Sequence, residues 1–385
     1  MVVEISLLVF LFIATPPVQG LPQKSFGQIV QQADAARVAD RTNDAIALYS
    51  EGVRLRPSWS EGWWSLGSLL YDQDRFSEAE SSLKRFIAIA PKPAPAYAFL
   101  ALCEYETHEY DHALQHFQAW AREGSPGTDE LIDVAGFHWA LLLTRGGRFP
   151  QALYLLDAKA QKLGGTPALI EAMGLASLRM PSLPEDYPAQ QRELVWLAGK
   201  AAYYASAHEP YRTQEYANRL LTRYGGQPNV HYFRGTLFAF EKDRSAEAEE
   251  YEQELKISPQ HVPAMVELAL VRVYQERSAE AVPLAERAAA LEPKNSRAHY
   301  ALGWGLVDTG RPQEGARELE RAKQLAPDSA AIRFILAKAY RTLGQKEQAK
   351  RESAAFLALK DKQEVLAYSQ EKTRMPKQSG PPKQQ

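Results

Sequence analysis

Apolar residues recur along this chain at helical spacing, and nowhere do they alternate for any length as a half-buried strand would. The predicted elements are helices throughout. Proline punctuates them at a constant interval: Pro57 and Pro91 are 34 residues apart, and so are Pro259, Pro293 and Pro327. A period of that length marks stacked pairs of helices, each unable to bury its apolar face alone and each dependent on its neighbours. Such a chain offers an extended surface rather than a pocket.

Around the prolines the same kinds of residue return. Trp63, Leu66 and Gly67 stand ahead of Ala79, Leu83 and Pro91, and Leu302 and Gly303 ahead of Leu319, Ala322 and Pro327. These segments resemble the tetratricopeptide repeat. That family places a large residue at repeat position 4, Leu at 7, Gly or Ala at 8, Ala at 20 and 27, and Pro at 32. Small residues at 8 and 20 let the two helices of a unit approach closely, larger ones fill the gap to the next unit, and proline stops the second helix.

In that frame nine units fall at 26–59, 60–93, 94–127, 133–166, 194–227, 228–261, 262–295, 296–329 and 330–363. Position 8 holds Ala33, Gly67, Ala101, Ala140, Ala201, Gly235, Ala269, Gly303 and Ala337. Position 20 holds Ala or Gly in all but two units, where Thr213 and Glu247 stand instead. The fold expected is all-α: a right-handed superhelical solenoid of antiparallel helix pairs, one continuous domain over 21–369. The register breaks once, at 167–193, where a helix over Ala168 to Met180 is interrupted by Pro181, Pro184 and Pro188. This insertion is a spare helix, a hinge or a tolerated surface loop.

Composition suits a helical array, with 45% hydrophobic and 24% charged residues. A net charge of −2 argues against nucleic acid as partner, because phosphate binding needs a concentrated basic surface. Ile5 to Ala14 is an apolar run too short to span a bilayer, followed by Pro16, Pro17 and the small-residue site Val18-Gln19-Gly20. It resembles a secretory signal peptide over 1–20, cleaved before Leu21, although Glu4 stands where such leaders carry basic residues. Export to the periplasm or cell exterior follows as an expectation, with no transmembrane span once the signal is removed. Residues 370–385, rich in Pro, Lys and Gln, are expected to be disordered.

Catalytic chemistry is hard to place. Cys103 is the only cysteine, which excludes an internal disulfide and a thiolate cluster. His108-Glu109-Tyr110-Asp111-His112 spells the zinc-peptidase pattern HEXXH, whose chemistry needs both His on one helix face. The repeat frame instead puts His108 in the turn between two helices, so this match is expected to hold no metal. No Gly-rich phosphate loop and no nucleophile elbow is present, and neither a cofactor nor an enzymatic activity is expected.

The resemblance also implies a site. In this family the first helices of successive units line a concave groove, chiefly through positions 2, 5, 9, 12 and 13. Those positions hold Trp64, Tyr71, Tyr105, Phe137, Tyr232, Phe240, Tyr274, Tyr300, Trp304 and Phe334, with Asn229, Lys338, Arg341, Arg145 and Asp308 among them. Rings beside hydrogen-bonding groups are the usual makeup of binding hot spots. Members that clamp a peptide carboxylate carry Lys at position 5 and Asn at 9 of the first unit, where this chain has Val30 and Asp34. The expectation is a non-enzymatic interaction scaffold holding a protein or peptide segment. The alternatives are a carbohydrate-binding protein of the envelope, whose sugars would stack on the same rings, and a distant metallopeptidase reading through His108 and His112.

Overall fold

The computed structural model describes residues 24–374, so the expected signal peptide and the chain beyond 374 lie outside the described residues. Nineteen α-helices and one 3-10 turn account for the regular structure, with no strand among the described residues. The molecule is an all-helical solenoid of helix pairs. The chain divides into two compact units, 1–142 and 143–385, with the division inside α7 (Asp129–Arg145).

The first unit carries three pairs: α1 (Phe26–Val38) with α2 (Thr42–Leu55), α3 (Ser60–Tyr71) with α4 (Phe76–Ile89), and α5 (Ala94–Glu106) with α6 (Tyr110–Arg122). Its small residues lie where the pairs cross. Ala33, Ala45, Ala79, Ala101 and Ala113 are fully buried, and a β-carbon on Gly67 would come within 2.9 Å of Leu83. Cys103 is buried beside them, its thiol pushed up to about 12 chiefly by burial, which makes it a packing residue rather than a nucleophile.

The second unit runs through α8 (Phe149–Leu163), α9 (Pro167–Ser177), α10 (Arg192–Ser206), α11 (Pro210–Tyr224), α12 (Val230–Glu241) and α13 (Arg244–Ile257). It continues through α14 (Val262–Tyr274), α15 (Ser278–Leu291), α16 (Ser296–Asp308), α17 (Pro312–Leu325), α18 (Ala330–Thr342) and α19 (Lys346–Arg374). From α14 onward the repeat rule is followed closely. One core joins α14 to α19, and Gly303 and Gly315 pass so near each other that a β-carbon on Gly315 would sit 2.7 Å from the Gly303 carbonyl. The polar residues at position 20 are buried too. Thr213 donates to the Glu209 carbonyl at 3.0 Å, and Glu247 is neutralised by Arg244 at 2.6 Å.

Two features depart from the regular pattern. The insertion is an extra helix: α9 packs antiparallel on α10, with Gly174 against the Val195 carbonyl and Gly199 against the Ile170 carbonyl. At the other end α19 continues through 370–374, into the stretch expected to be disordered. Gln370, Glu371, Lys372 and Arg374 are good helix formers. No described helix is long and apolar enough to cross a membrane.

Candidate functional site

Three rings stand on three successive first helices of the second unit. Tyr274 ends α14 and is 55% exposed, Trp304 is half-buried in the middle of α16, and Phe334 on α18 is 49% exposed. Adjacent first helices touch here, α14 on α16 and α16 on α18. The Tyr274 and Trp304 ring centroids are 5.0 Å apart and nearly perpendicular, the edge-to-face arrangement aromatic quadrupoles prefer. Tyr300, one turn before Trp304, is buried and lies under it at 5.7 Å. Burial, with the neighbouring Tyr274 phenol, pushes the Tyr300 hydroxyl well above its ordinary range, so it stays neutral.

Charged groups frame these rings. The Arg244 guanidinium lies 4.9 Å from the Tyr274 ring centroid while also holding Glu247. Lys338 donates to Asp308 at 2.6 Å, tying α18 to α16 beside Phe334, and Arg341 reaches Ser353 at 3.5 Å. Phe334 itself rests on Phe356 of α19, with centroids 5.3 Å apart. The surface is thus a partly exposed aromatic strip with an ion pair toward each end.

The other rings read from the repeat frame are spent on one another. In the first unit Trp64 is wedged between Phe86 and Phe99 at 5.3 and 5.4 Å, and Tyr71 packs on Phe76 and Phe99. Burial pushes the Tyr71 phenol up to about 12. Tyr105 and Phe137 both lean on His138, at 4.7 and 5.6 Å. All four are half-buried, filling the gaps between helices.

In the second unit Asn229 is structural. It adopts left-handed backbone at φ 70° ahead of α12, its N–H donates to Glu254 at 2.9 Å, and its side-chain oxygen lies 2.8 Å from His261 Nε2. The Ala264 N–H donates to Nδ1 of the same imidazole at 3.0 Å, which places the ring proton on Nε2 and makes it the donor to Asn229. Burial above all lowers the His261 pKa below its ordinary value, with Arg179 adding to the effect and Glu254 opposing it. Tyr232 packs on this imidazole with centroids 4.9 Å apart.

Tyr232 also lines a feature that the repeat frame gave no reason to expect. A cavity of about 770 Å³ opens among α8, α9, α10, the start of α11 and α12, with Phe149, Met173, Ala202, Phe233 and Leu237 in its wall. It lies where the extra helix α9 displaces the regular pairing. The signal for it was present in the chain as Gly174 and Gly199, two glycines inside apolar helices on either side of three prolines.

The HEXXH segment is a turn. His108 has left-handed backbone at φ 64° between α5 and α6, and α6 begins only at Tyr110, so His108 and His112 share no helix face. His108 Nδ1 lies 2.7 Å from the Tyr110 hydroxyl, and His116 Nδ1 2.6 Å from Glu104. Among the described residues no cluster of three or more potential metal ligands occurs.

A chain of paired helices with buried small residues at each crossing and aromatic side chains across adjoining first helices defines a repeat protein that acts by presenting a surface. A family model described as "Tetratricopeptide repeat" matches residues 30–94, 65–128, 266–322 and 300–355, and the chain is a tetratricopeptide repeat protein. Such proteins are interaction scaffolds. No curated protein matches the chain. Among solved structures it is similar to a double mutant titled MamA RS-1 ArsTM (17% identity, 45% of this chain and 97% of that one, TM-score 0.41). It is also similar to MamA from Desulfovibrio magneticus RS-1 (18%, 45% and 96%, TM-score 0.39). A third is YrrB, titled a TPR protein with an unusual peptide-binding site (15%, 48% and 94%, TM-score 0.39).

Proposed function

We propose that this protein is a non-enzymatic scaffold, exported to the periplasm or cell exterior, that holds an extended peptide or protein segment on the strip formed by Tyr274, Trp304 and Phe334. The observation that carries the reading is the partial exposure of large rings on adjoining first helices in a region otherwise closed by small buried residues. Rings of this kind bury much area at small entropy cost when a partner covers them. Export rests on the apolar run Ile5 to Ala14 and the small-residue site that follows it.

The binding half is tested by selecting peptides from a displayed library against the mature chain and remeasuring them on Trp304→Ala. Truncating a hot-spot ring costs about 2 kcal/mol or more, so affinity should fall more than tenfold with little change in melting temperature. A stability loss of about 3–5 kcal/mol, as for a core aromatic, would instead make Trp304 a packing residue and move the surface elsewhere. The export half is tested by terminal sequencing of the native protein, which should begin at Leu21; an intact Met1 sinks it.

A further inference from the structure

The cavity among α8 to α12 carries at one end two hydrogen-bond donor groups, Ser177 and Arg179, that no carboxylate among the described residues pairs with. Ser177 closes α9, is 4% exposed, and its hydroxyl has no partner. Other buried hydroxyls have partners: Ser82 donates to the Glu78 carbonyl and Thr213 to the Glu209 carbonyl, each at 3.0 Å, and Ser278 reaches Asp308 at 3.5 Å. A buried polar atom left without a partner is costly, and its place in a cavity wall points to a group supplied from outside.

Two residues on stands Arg179, half-buried and held in left-handed backbone at φ 52°. Its guanidinium lies 4.8 Å from the Phe149 ring centroid and 5.5 Å from that of Tyr232, and no carboxylate among the described residues pairs with it. Rings on two sides hold the planar cation in position and strip water from it, which strengthens its attraction for an anion. The fork of N–H groups on Arg179 and the hydroxyl of Ser177 can all donate to the same carboxylate.

The opposite end has the opposite charge. Asp157 lies two turns along α8 from Phe149, about 12 Å by helix rise. Glu241 ends α12, whose first turn holds Tyr232, and accepts from Gln214 at 2.8 Å. Glu209, also in the lining, is paired with Arg212 at 3.4 Å. Between the two ends the wall is apolar, through Leu153, Met173, Phe233 and Leu237. At about 770 Å³ the space falls within the roughly 300–1,000 Å³ typical of small-molecule sites.

We infer that this cavity binds an organic monoanion with an elongated apolar body, of the class of medium-chain carboxylates. Its carboxylate is seated between Arg179 and Ser177 and its tail runs along α8 and α12. The carboxylates at the far end select against a second negative charge there, so an α,ω-dicarboxylate of the same length is rejected. This site is separate from the aromatic strip of α14, α16 and α18, and neither proposal depends on the other.

The test is equilibrium dialysis of the full chain against dodecanoate, dodecanol and dodecanedioate below their micelle concentrations. Dodecanoate should bind at one per chain, at least tenfold more tightly than either of the others. Arg179→Gln should bring dodecanoate down to the level of dodecanol, Ser177→Ala should weaken dodecanoate alone, and Ala205→Trp, which plugs the half-buried mouth, should weaken all binding. Equal affinity for acid and alcohol, acceptance of the diacid, no binding of dodecanoate, or binding that survives Ala205→Trp each overturns the inference. Should Arg179→Gln not fold, the three-ligand comparison on the wild-type chain together with Ser177→Ala decides the matter.

Discussion

Two stretches of the second unit use the same helices to opposite ends. From α14 to α18 every unit places a small residue at its own crossing, Ala269 with Ala281 and Gly303 with Gly315, and the interior closes. From α8 to α12 the close crossing belongs instead to the extra helix. Gly174 and Gly199 bring α9 and α10 together more tightly than Gly303 and Gly315 bring α16 and α17, and space opens beside them. In the regular stretch the rings left partly exposed lie outside and form a strip. In the irregular one an interior becomes available. A repeat array gains a cavity by breaking its period, since a period kept throughout buries each unit equally against the next.

The largest expected effect comes from probing the two crossings with the same methyl group. A β-carbon on Gly199 would lie 1.9 Å from the Ile170 carbonyl oxygen, which is backbone and cannot rotate away. On Gly303 the nearest atom is Leu319 Cγ at 2.6 Å, a side chain that can shift. Overpacking costs about 1–3 kcal/mol, occasionally more, so Gly199→Ala should lie at the top of that range or above and Gly303→Ala below it. Denaturant unfolding of both variants checks the order, and equal losses would show that the two crossings are equally tight.

A smaller effect should be seen with pH at the edge of the irregular stretch. His261 joins Asn229 to α14 through its neutral imidazole, and its pKa in the folded chain lies below the unfolded value of 6.5. The unfolded chain therefore takes up the proton first. The stabilisation is present above pH 6.5 and is lost as the pH falls through the lower folded-state value. Wild-type stability should drop between pH 7 and pH 5 by more than that of His261→Gln, whose amide keeps a donor for Asn229 but does not titrate. Parallel pH profiles would show that the imidazole does not titrate differently in the two states.

The smallest effect is expected where the sequence looked most like an enzyme. His108→Ala and Glu109→Ala alter exposed turn residues, and the Glu109 and His112 pair, at 3.6 Å, is solvent-exposed. Each should change stability by no more than about 0.5 kcal/mol. Zinc bound at one per chain and lost in His112→Ala would overturn that assignment.

How much was legible follows from what the repeat encodes. Positions 8 and 20 could be read directly, because a close helix crossing favours small residues; all nine of each are buried, Thr213 and Glu247 among them with their polar atoms paired. The turn at His108 was legible for the same reason, being placed by Ala113. The groove was legible only in part. Position in a unit says that a ring faces the neighbouring first helix, not whether another ring is already there. Trp64 and Tyr71 both meet Phe99, while Tyr274 and Phe334 remain about half exposed. The cavity could not be read from the frame at all, because it depends on the approach of Gly199 to Gly174's helix, and Gly174 stands in the segment that the frame leaves out.

The exposed strip also has a geometry that limits it. Arg244, Tyr274, Trp304 and Phe334 are each 30 residues apart, while the unit is 34. Every step therefore slides one helical turn toward the start of the first helix: Tyr274 is the last residue of α14, Trp304 is central in α16, and Phe334 is one turn inside α18. One more step would reach the helix's first residue and leave the face. The strip crosses the array obliquely and runs off its edge after three first helices. Duplicating units would lengthen the protein without lengthening the strip, so the proposed contact has a maximum size set by the difference between two whole numbers, a ruler written into the repeat length.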